Sequence, residues 1–275
     1  MKPYLNTKDY SISGEAFSLL YDEELDMLVT TPQPNDLDKY YQSNDYISHS
    51  DASESLVEKL YQTVKKKNLS GKVKLVRPFG GQKKTLLDVG AGTGSFMLAA
   101  KEAGWSVSGL EPNEAAKNKA AEKGVSMFGN WEDLEGKKFE VITLWHVLEH
   151  LPNLEEKIKT LKDLLVQDGI LIVAVPNFKS YDAAHYQNFW AAYDVPRHLW
   201  HFSKTAIKKL FGKEGLNLFK IRPMIFDAFY VSLLSEKYKT GKQNFAKAFW
   251  IGIRSNIKAW RNKEYSSLIY ILRKG

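Results

Sequence analysis

Residues 146–150 read HVLEH, two histidines four apart with Glu149 beside the second. On a helix this H-x-x-E-H spacing would put both imidazoles and the carboxylate on one face, the donor set of an inverted zinc-hydrolase centre. Upstream, LLDVGAGTGSF sets Asp88 just before Gly90, Gly92 and Gly94. A strand ending in such glycines lets the backbone turn tightly and approach a ligand closely. Glu111 follows about 20 residues on, where a carboxylate at the end of the next strand can accept hydrogen bonds from both hydroxyls of a ribose. The two sets imply different chemistries, metal-assisted hydrolysis and nucleoside binding. The elements that carry them decide between the two.

From about residue 84 the chain alternates strand and helix, the pattern of a doubly wound α/β sheet covered on both faces. TLLDVGAG, WSVSGLEPN, VSMFGN, FEVITLWHV and GILIVAVPN read as successive strands. Between them, LEEKIKTLKDLLV carries Leu154, Ile158, Leu161 and Leu165 at helical spacing. FSKTAIKKLFGKEG reads as a serine-capped helix closed by Gly215. LNLFKIRPMIF and SSLIYILRKG supply two last strands, separated by a basic, aromatic insertion at about 228–265. Two domains are expected: a cap over residues 1–70, built of a hairpin near Asp22 and a helix capped by Asp51 or Ser53, and the sheet domain over 71–275.

Composition narrows the chemistry. There is no cysteine, which removes disulfides, thiolate metal sites and a cysteine nucleophile. The start, MKPYLNTKDYSISG, lacks the apolar core of a signal peptide, and no apolar run reaches the length of a membrane span, so a cytoplasmic protein is expected. Residues 1–60 carry 4 basic and 12 acidic side chains, a net −8, whereas residues 201–275 carry 16 basic and 4 acidic, a net +12. Such asymmetry can mark a nucleic-acid or membrane-facing surface, or simply a solvated lysine-rich face. A dinucleotide fingerprint would need glycine or alanine at Ser95, and a phosphate-binding loop would need a lysine that this loop lacks.

In order, LLDVGAGTGSF, VSGLEPN, GNWEDL and FEVITLWHVLEHLPN resemble the successive motifs of class I S-adenosylmethionine-dependent methyltransferases, over about residues 84–226 plus the final strand. The resemblance implies a Rossmann-like seven-stranded sheet of order 3-2-1-4-5-7-6, with the last strand antiparallel. It also implies S-adenosylmethionine as cofactor. Asp88, Gly90, Ala91, Gly92 and Gly94 would line the methionine side, and Glu111 with Pro112 the ribose. Asn130 and Trp131 would flank the adenine, with Asn130 standing where the family usually has aspartate. Trp145 and His146 would line the pocket after the fourth strand. The family also words this region VLEHLP in members that bind no metal, so no metal is expected at HVLEH. The string is nonetheless similar to the E-x-x-E-H with which some methyltransferases hold a divalent ion, with His146 in place of the first glutamate. The N-terminal segment resembles family members that begin with a small zinc ribbon, whose cysteine pairs fall near Asp22 to Leu25. Tyr41, Tyr46 and His49 then read as lid residues.

The resemblance implies transfer of a methyl group to an oxygen, nitrogen or carbon of a small molecule, with alignment as the main task and a base where the acceptor carries a proton. His198, His146, His201 and His185 are candidate bases, and Asp194 could orient one of them. A nucleic-acid methyltransferase or cofactor-binding module using the basic C-terminal third is the alternative, although no RNA-binding motif is present. In FAKAFWIGIRSNIKAWR, Phe245, Phe249, Ile253, Ile257 and Trp260 form one helical stripe. That stripe is expected to pack on the core beside the acceptor crevice and not to anchor the protein to a membrane. No oligomeric state follows from the sequence.

Overall fold

The structure, a computed structural model, describes residues 1–41 and 67–275. The chain opens with strands β1 (Lys2–Lys8), β2 (Ala16–Asp22) and β3 (Met27–Thr31). Helix α1 (67–76) leads to β4 (Thr85–Val89), α2 (Ser95–Glu102), β5 (Ser106–Leu110), α3 (Glu114–Ala121) and β6 (Met127–Phe128). Then come β7 (Phe139–Trp145), α4 (Leu154–Leu164), β8 (Leu165–Pro176), α5 (Tyr181–Tyr186), β9 (Trp200–His201) and α6 (Lys204–Lys213). The chain closes with β10 (Leu216–Pro223), α7 (Asp227–Thr240), α8 (Phe245–Asn262) and β11 (Ser267–Lys274).

Seven strands form one sheet in the order β10-β11-β8-β7-β4-β5-β6. Numbered from β4 as the first strand of the core, this is 3-2-1-4-5-7-6 read from the β6 edge, the expected order. β11 runs antiparallel to both neighbours, and the remaining pairs are parallel. Ile170 to Val175 of β8 are buried without alternation, as a central strand covered by helices on both faces requires. Leu154, Ile158 and Leu161 of α4 enter that core as their spacing predicts, whereas Leu165 opens β8 instead of closing the helix. Ser203 caps α6 by accepting from Ala206 N, again as expected.

The N-terminal strands are joined to the far half of the chain. β3 pairs with β9, Leu28 opposite His201 and Val29 opposite Trp200, so the N-terminal strands form a four-stranded sheet with a strand from the far half of the chain. Phe17, Leu19, Leu28 and Tyr40 share one apolar cluster with Phe178 and Trp190, and α1 itself spans the expected boundary. The hairpin near Asp22 is present, with β1 as a third strand beside it. Hydrogen bonds hold its turns in place of cysteines: Asp22 Oδ1 accepts from Leu25 N at 2.9 Å, and the Asp9 carboxylate accepts from Ser11 N and Ser13 N, each at 3.0 Å. Tyr46, His49 and the expected cap at Asp51 or Ser53 lie outside the described residues.

The insertion is the helix pair α7 and α8. The expected burial of its apolar stripe is overturned. Phe245, Phe249, Ile257 and Trp260 are 56%, 60%, 61% and 74% exposed, while Ala248, Gly252, Ser255 and Ala259 face inward. Small residues win the interior because the helices approach closely: a Cβ on Gly252 would lie 2.6 Å from Phe229 Cδ1.

Candidate active site

The glycine loop leaves β4 at its carboxyl end. Gly90 has φ +68°, and a Cβ there would lie 2.3 Å from Val147 Cγ2, so only glycine lets the loop pass β7. Gly92, at φ +53°, has no atom of the described residues within 4 Å of such a Cβ and forms an open lip. Gly94 turns the chain into α2. Gly90 N and Ala91 N both donate to Leu110 O, which ties the loop to β5. Glu111 meets the lip directly: its Oε2 accepts from Gly92 N at 2.8 Å and its Oε1 from Asn113 N at 3.0 Å. Pro112 is exposed between them.

Asp88 lies beneath this loop. It is buried and accepts from Thr143 Oγ1 at 2.6 Å across the β4–β7 pair. Burial raises its carboxyl to about 6, against the pull of Thr143 and the charge of Lys72. Lys72 sits 4.4 Å from the Trp145 ring centroid, where burial lowers its own pKa while Asp88 and Asp227 oppose that. Sequence reading passed over Lys72 because it stands in the lysine-rich run KKKNLSGKVK, which looks like a solvated face. Trp145 also packs edge-on against Phe96 at 5.6 Å. On the other flank Asn130 is exposed, its N–H donating to Asp133 Oδ2, and Trp131 lies half-buried under Lys157 Nζ at 4.8 Å.

HVLEH does not form the helix that a zinc-hydrolase face requires. It leaves β7 through His146 at φ +57° and makes only the short turn Leu148–His150. His146 Nε2 lies 3.1 Å from Asp227 Oδ2, and its Nδ1 lies 3.4 Å from Glu149 Oε1. Burial opposes charge on this ring, but bonds to Asp227 and Glu149 lift its pKa to about 10, so His146 is an imidazolium at neutral pH. Glu149 is 1% exposed, and among the described residues the one close polar neighbour of its carboxylate is the His146 ring, at 3.4 Å. Burial raises its pKa, yet the bond to His146 and the facing imidazoles prevail and keep it ionised.

The loop after α5 brings the remaining groups to this carboxylate. His198 Nδ1 lies 2.9 Å from Ala192 O; a carbonyl only accepts, so Nδ1 donates and Nε2 is the nitrogen left to face the carboxylates. That Nε2 lies 3.9 Å from Glu149 Oε1 and 4.0 Å from Asp194 Oδ2. His150 is arranged alike, with Nδ1 3.0 Å from Arg197 O and also 3.0 Å from the Tyr41 hydroxyl. Burial first, then the neighbouring His198, lowers its pKa to about 4. Arg197, 2% exposed, fixes the whole turn: its Nη2 lies 3.0 Å from Asp9 Oδ1 and 2.6 Å from Asp194 Oδ1.

His146 and His198 thus meet around Glu149. His201 and His185 do not join them. His201 is buried in the small sheet with Nε2 3.0 Å from Thr30 Oγ1, and burial lowers its pKa well below the ordinary value. His185 lies against Tyr181 and Tyr186 on α5. Glu149, His150 and His198 offer three ligand atoms within 4.8 Å of one another, so these residues could hold a divalent cation.

A family model described as a methyltransferase domain matches residues 56–221, more than half of the chain. The ubiquinone biosynthesis O-methyltransferase of Haemophilus ducreyi is 36% identical over 108 residues, which cover 34% of this chain and 46% of the relative. That of Coxiella burnetii is 31% identical over 109 residues, 36% of this chain and 47% of the relative. The chain therefore matches about half the length of these curated relatives. Among solved structures, geranyl diphosphate C-methyltransferase from Streptomyces coelicolor superposes with a TM-score of 0.59 at 16% identity, over 89% of this chain and 99% of that one. Magnesium protoporphyrin IX methyltransferase from Synechocystis superposes with a TM-score of 0.57 at 15% identity, over 86% and 97%. At such identities the structural likeness is one of fold.

Proposed function

The chain belongs to the methyltransferase-domain family, and from that premise we propose that it is an S-adenosylmethionine-dependent methyltransferase acting on a small-molecule acceptor. One observation carries the reading: the Glu111 carboxylate stands 2.8 Å from Gly92 N at a lip that no side chain among the described residues fills. A carboxylate and an open backbone at the ends of adjacent parallel strands suit a ribose and the amino-acid arm attached to it. Gly90, Ala91, Gly92 and Gly94 would hold that arm, with Glu111 and Pro112 at the ribose. Asn130 and Trp131 would flank the base, and Trp145 would border the pocket. When bound, the cofactor supplies an electrophilic methyl group open to in-line displacement.

The chain's own residues then have to orient the acceptor and take its proton. His198 accepts that proton at Nε2, because Ala192 O holds the hydrogen on Nδ1. The imidazolium so formed has two carboxylates, Glu149 and Asp194, within 4.0 Å. His146, already charged, does not serve as a base. It holds Glu149 in place and sets a positive charge at the end of β7. The reading is tested by incubating the protein with methyl-labelled S-adenosylmethionine and metabolite fractions, with His198→Ala as control. Label should pass to a small molecule in wild type and fall about 10²-fold in the variant, the scale of general-base loss. Label passing only to RNA would favour the nucleic-acid alternative.

A second reading rests on the buried Glu149 carboxylate and the two imidazoles beside it. A cation held by Glu149, His150 and His198 would act on the acceptor as a Lewis acid. It engages the same Nε2 of His198, so the two readings exclude each other.

A further inference from the structure

Helix α8 has three faces. Ala248, Ile251, Gly252, Ser255 and Ala259 are buried against the protein. At 100° per residue, Phe245, Phe249, Trp260, Ile253, Ile257 and Trp250 fall on the next arc, and Arg261, Arg254, Lys247 and Lys258 complete the circle. Both tryptophans and both phenylalanines of the apolar arc are more than half exposed. Asn256 Nδ2 donates to Ile225 O at 3.0 Å, which brings the exposed Ile225 and Phe226 beside the same arc. The apolar surface therefore runs from α8 to the start of α7, next to Asp227 and the imidazole of His146.

We propose that this surface docks on an anionic phospholipid bilayer, with the apolar arc of α8 immersed at the headgroup level and the basic strip against the lipid phosphates. Two features of the helix select that occupant. Its sequence, FAKAFWIGIRSNIKAWRN, contains no acidic residue, and the end of the chain carries the net +12. Indole rings with lysine and arginine at their edge are the composition of a helix lying in a membrane interface. Charge also disfavours a second copy. A two-fold contact would bring the same basic side chains together, and among the described residues only Lys247 of this strip has an acidic partner, Glu236 at 3.0 Å. The aliphatic members Ile225, Ile253 and Ile257 suit acyl chains better than stacked bases. No helix among the described residues is long and apolar enough to cross a bilayer, so the contact is peripheral.

Vesicle flotation at physiological salt tests the proposal, using phosphatidylcholine alone and phosphatidylcholine with phosphatidylglycerol. The full chain should float with the mixed vesicles and stay behind with the zwitterionic ones. Trp250→Ser with Trp260→Ser should lower the floated fraction at least tenfold, and Arg254→Glu with Arg261→Glu should abolish the preference for anionic lipid. Circular dichroism and melting temperature, unchanged in both double variants, would assign the loss to the surface. Failure of the wild type to float, flotation indifferent to both variants, or concentration-dependent dimerisation lost in the tryptophan variant would each overturn it. So would random RNA that binds the face and is not displaced by vesicles. These readouts need no methyl acceptor, so they stand or fall separately from the catalytic reading.

Discussion

His146 Nε2 lies 3.1 Å from Asp227 Oδ2, so the inserted helix α7 begins on the imidazole that directly follows β7. The contact joins a segment peculiar to the C-terminal insertion to the crevice at the carboxyl ends of the sheet. It also sets the charge state of the ring.

That charge gives a pH dependence with a defined sign. The folded pKa of His146, about 10, is above the ordinary histidine value of about 6.5. Its stabilisation is therefore fully present below the unfolded value and is lost as pH rises through about 10. Thermal melts across this window should show a falling melting temperature, and His146→Gln should flatten the fall. An alkaline decline equal in both proteins contradicts the pairing.

Arg197 is the second structural test. Removing its guanidinium leaves Asp9 and Asp194 without their counter-charge, and breaking a buried pair of this kind costs about 3–5 kcal/mol. Arg197→Met should lose that much in denaturant unfolding; a loss under about 1 kcal/mol, the scale of a surface pair, contradicts the account. Burial opposes ionisation of Asp9, but Arg197 and Ser13 hold its carboxyl below the usual range. That contribution is present above ordinary carboxylate pKa values and is lost as pH falls through the lowered one. Acid unfolding should therefore begin at higher pH in Arg197→Met.

Much of the core was legible because its signals are local. A strand, a glycine turn and a helix repeat along the chain, and Glu111 falls where the second strand ends. The small sheet was not legible, since the partner of β3 is a two-residue strand about 170 residues away. Nor was the orientation of α8. A stripe of large apolar residues reads as core, but close helix approach favours Ala248, Gly252, Ser255 and Ala259 instead. The central place of Glu149 was not legible for a similar reason, because His198, which faces it, comes from another loop.

Metal content separates the two catalytic readings. The base reading expects activity to survive exhaustive chelation, elemental analysis to find no stoichiometric metal, and Glu149→Gln to slow turnover with cofactor affinity intact. One zinc per chain, lost together with activity in His150→Ala, would instead select the cation held by Glu149, His150 and His198.

The central claim is that the glycine loop and Glu111 form the seat of S-adenosylmethionine, and titration calorimetry addresses it without knowledge of the acceptor. Wild type should bind S-adenosylmethionine saturably, and Glu111→Ala should lose about 1.5–3 kcal/mol, the worth of hydrogen bonds to a charged group. Saturable binding of NADH with no heat from S-adenosylmethionine would contradict the account.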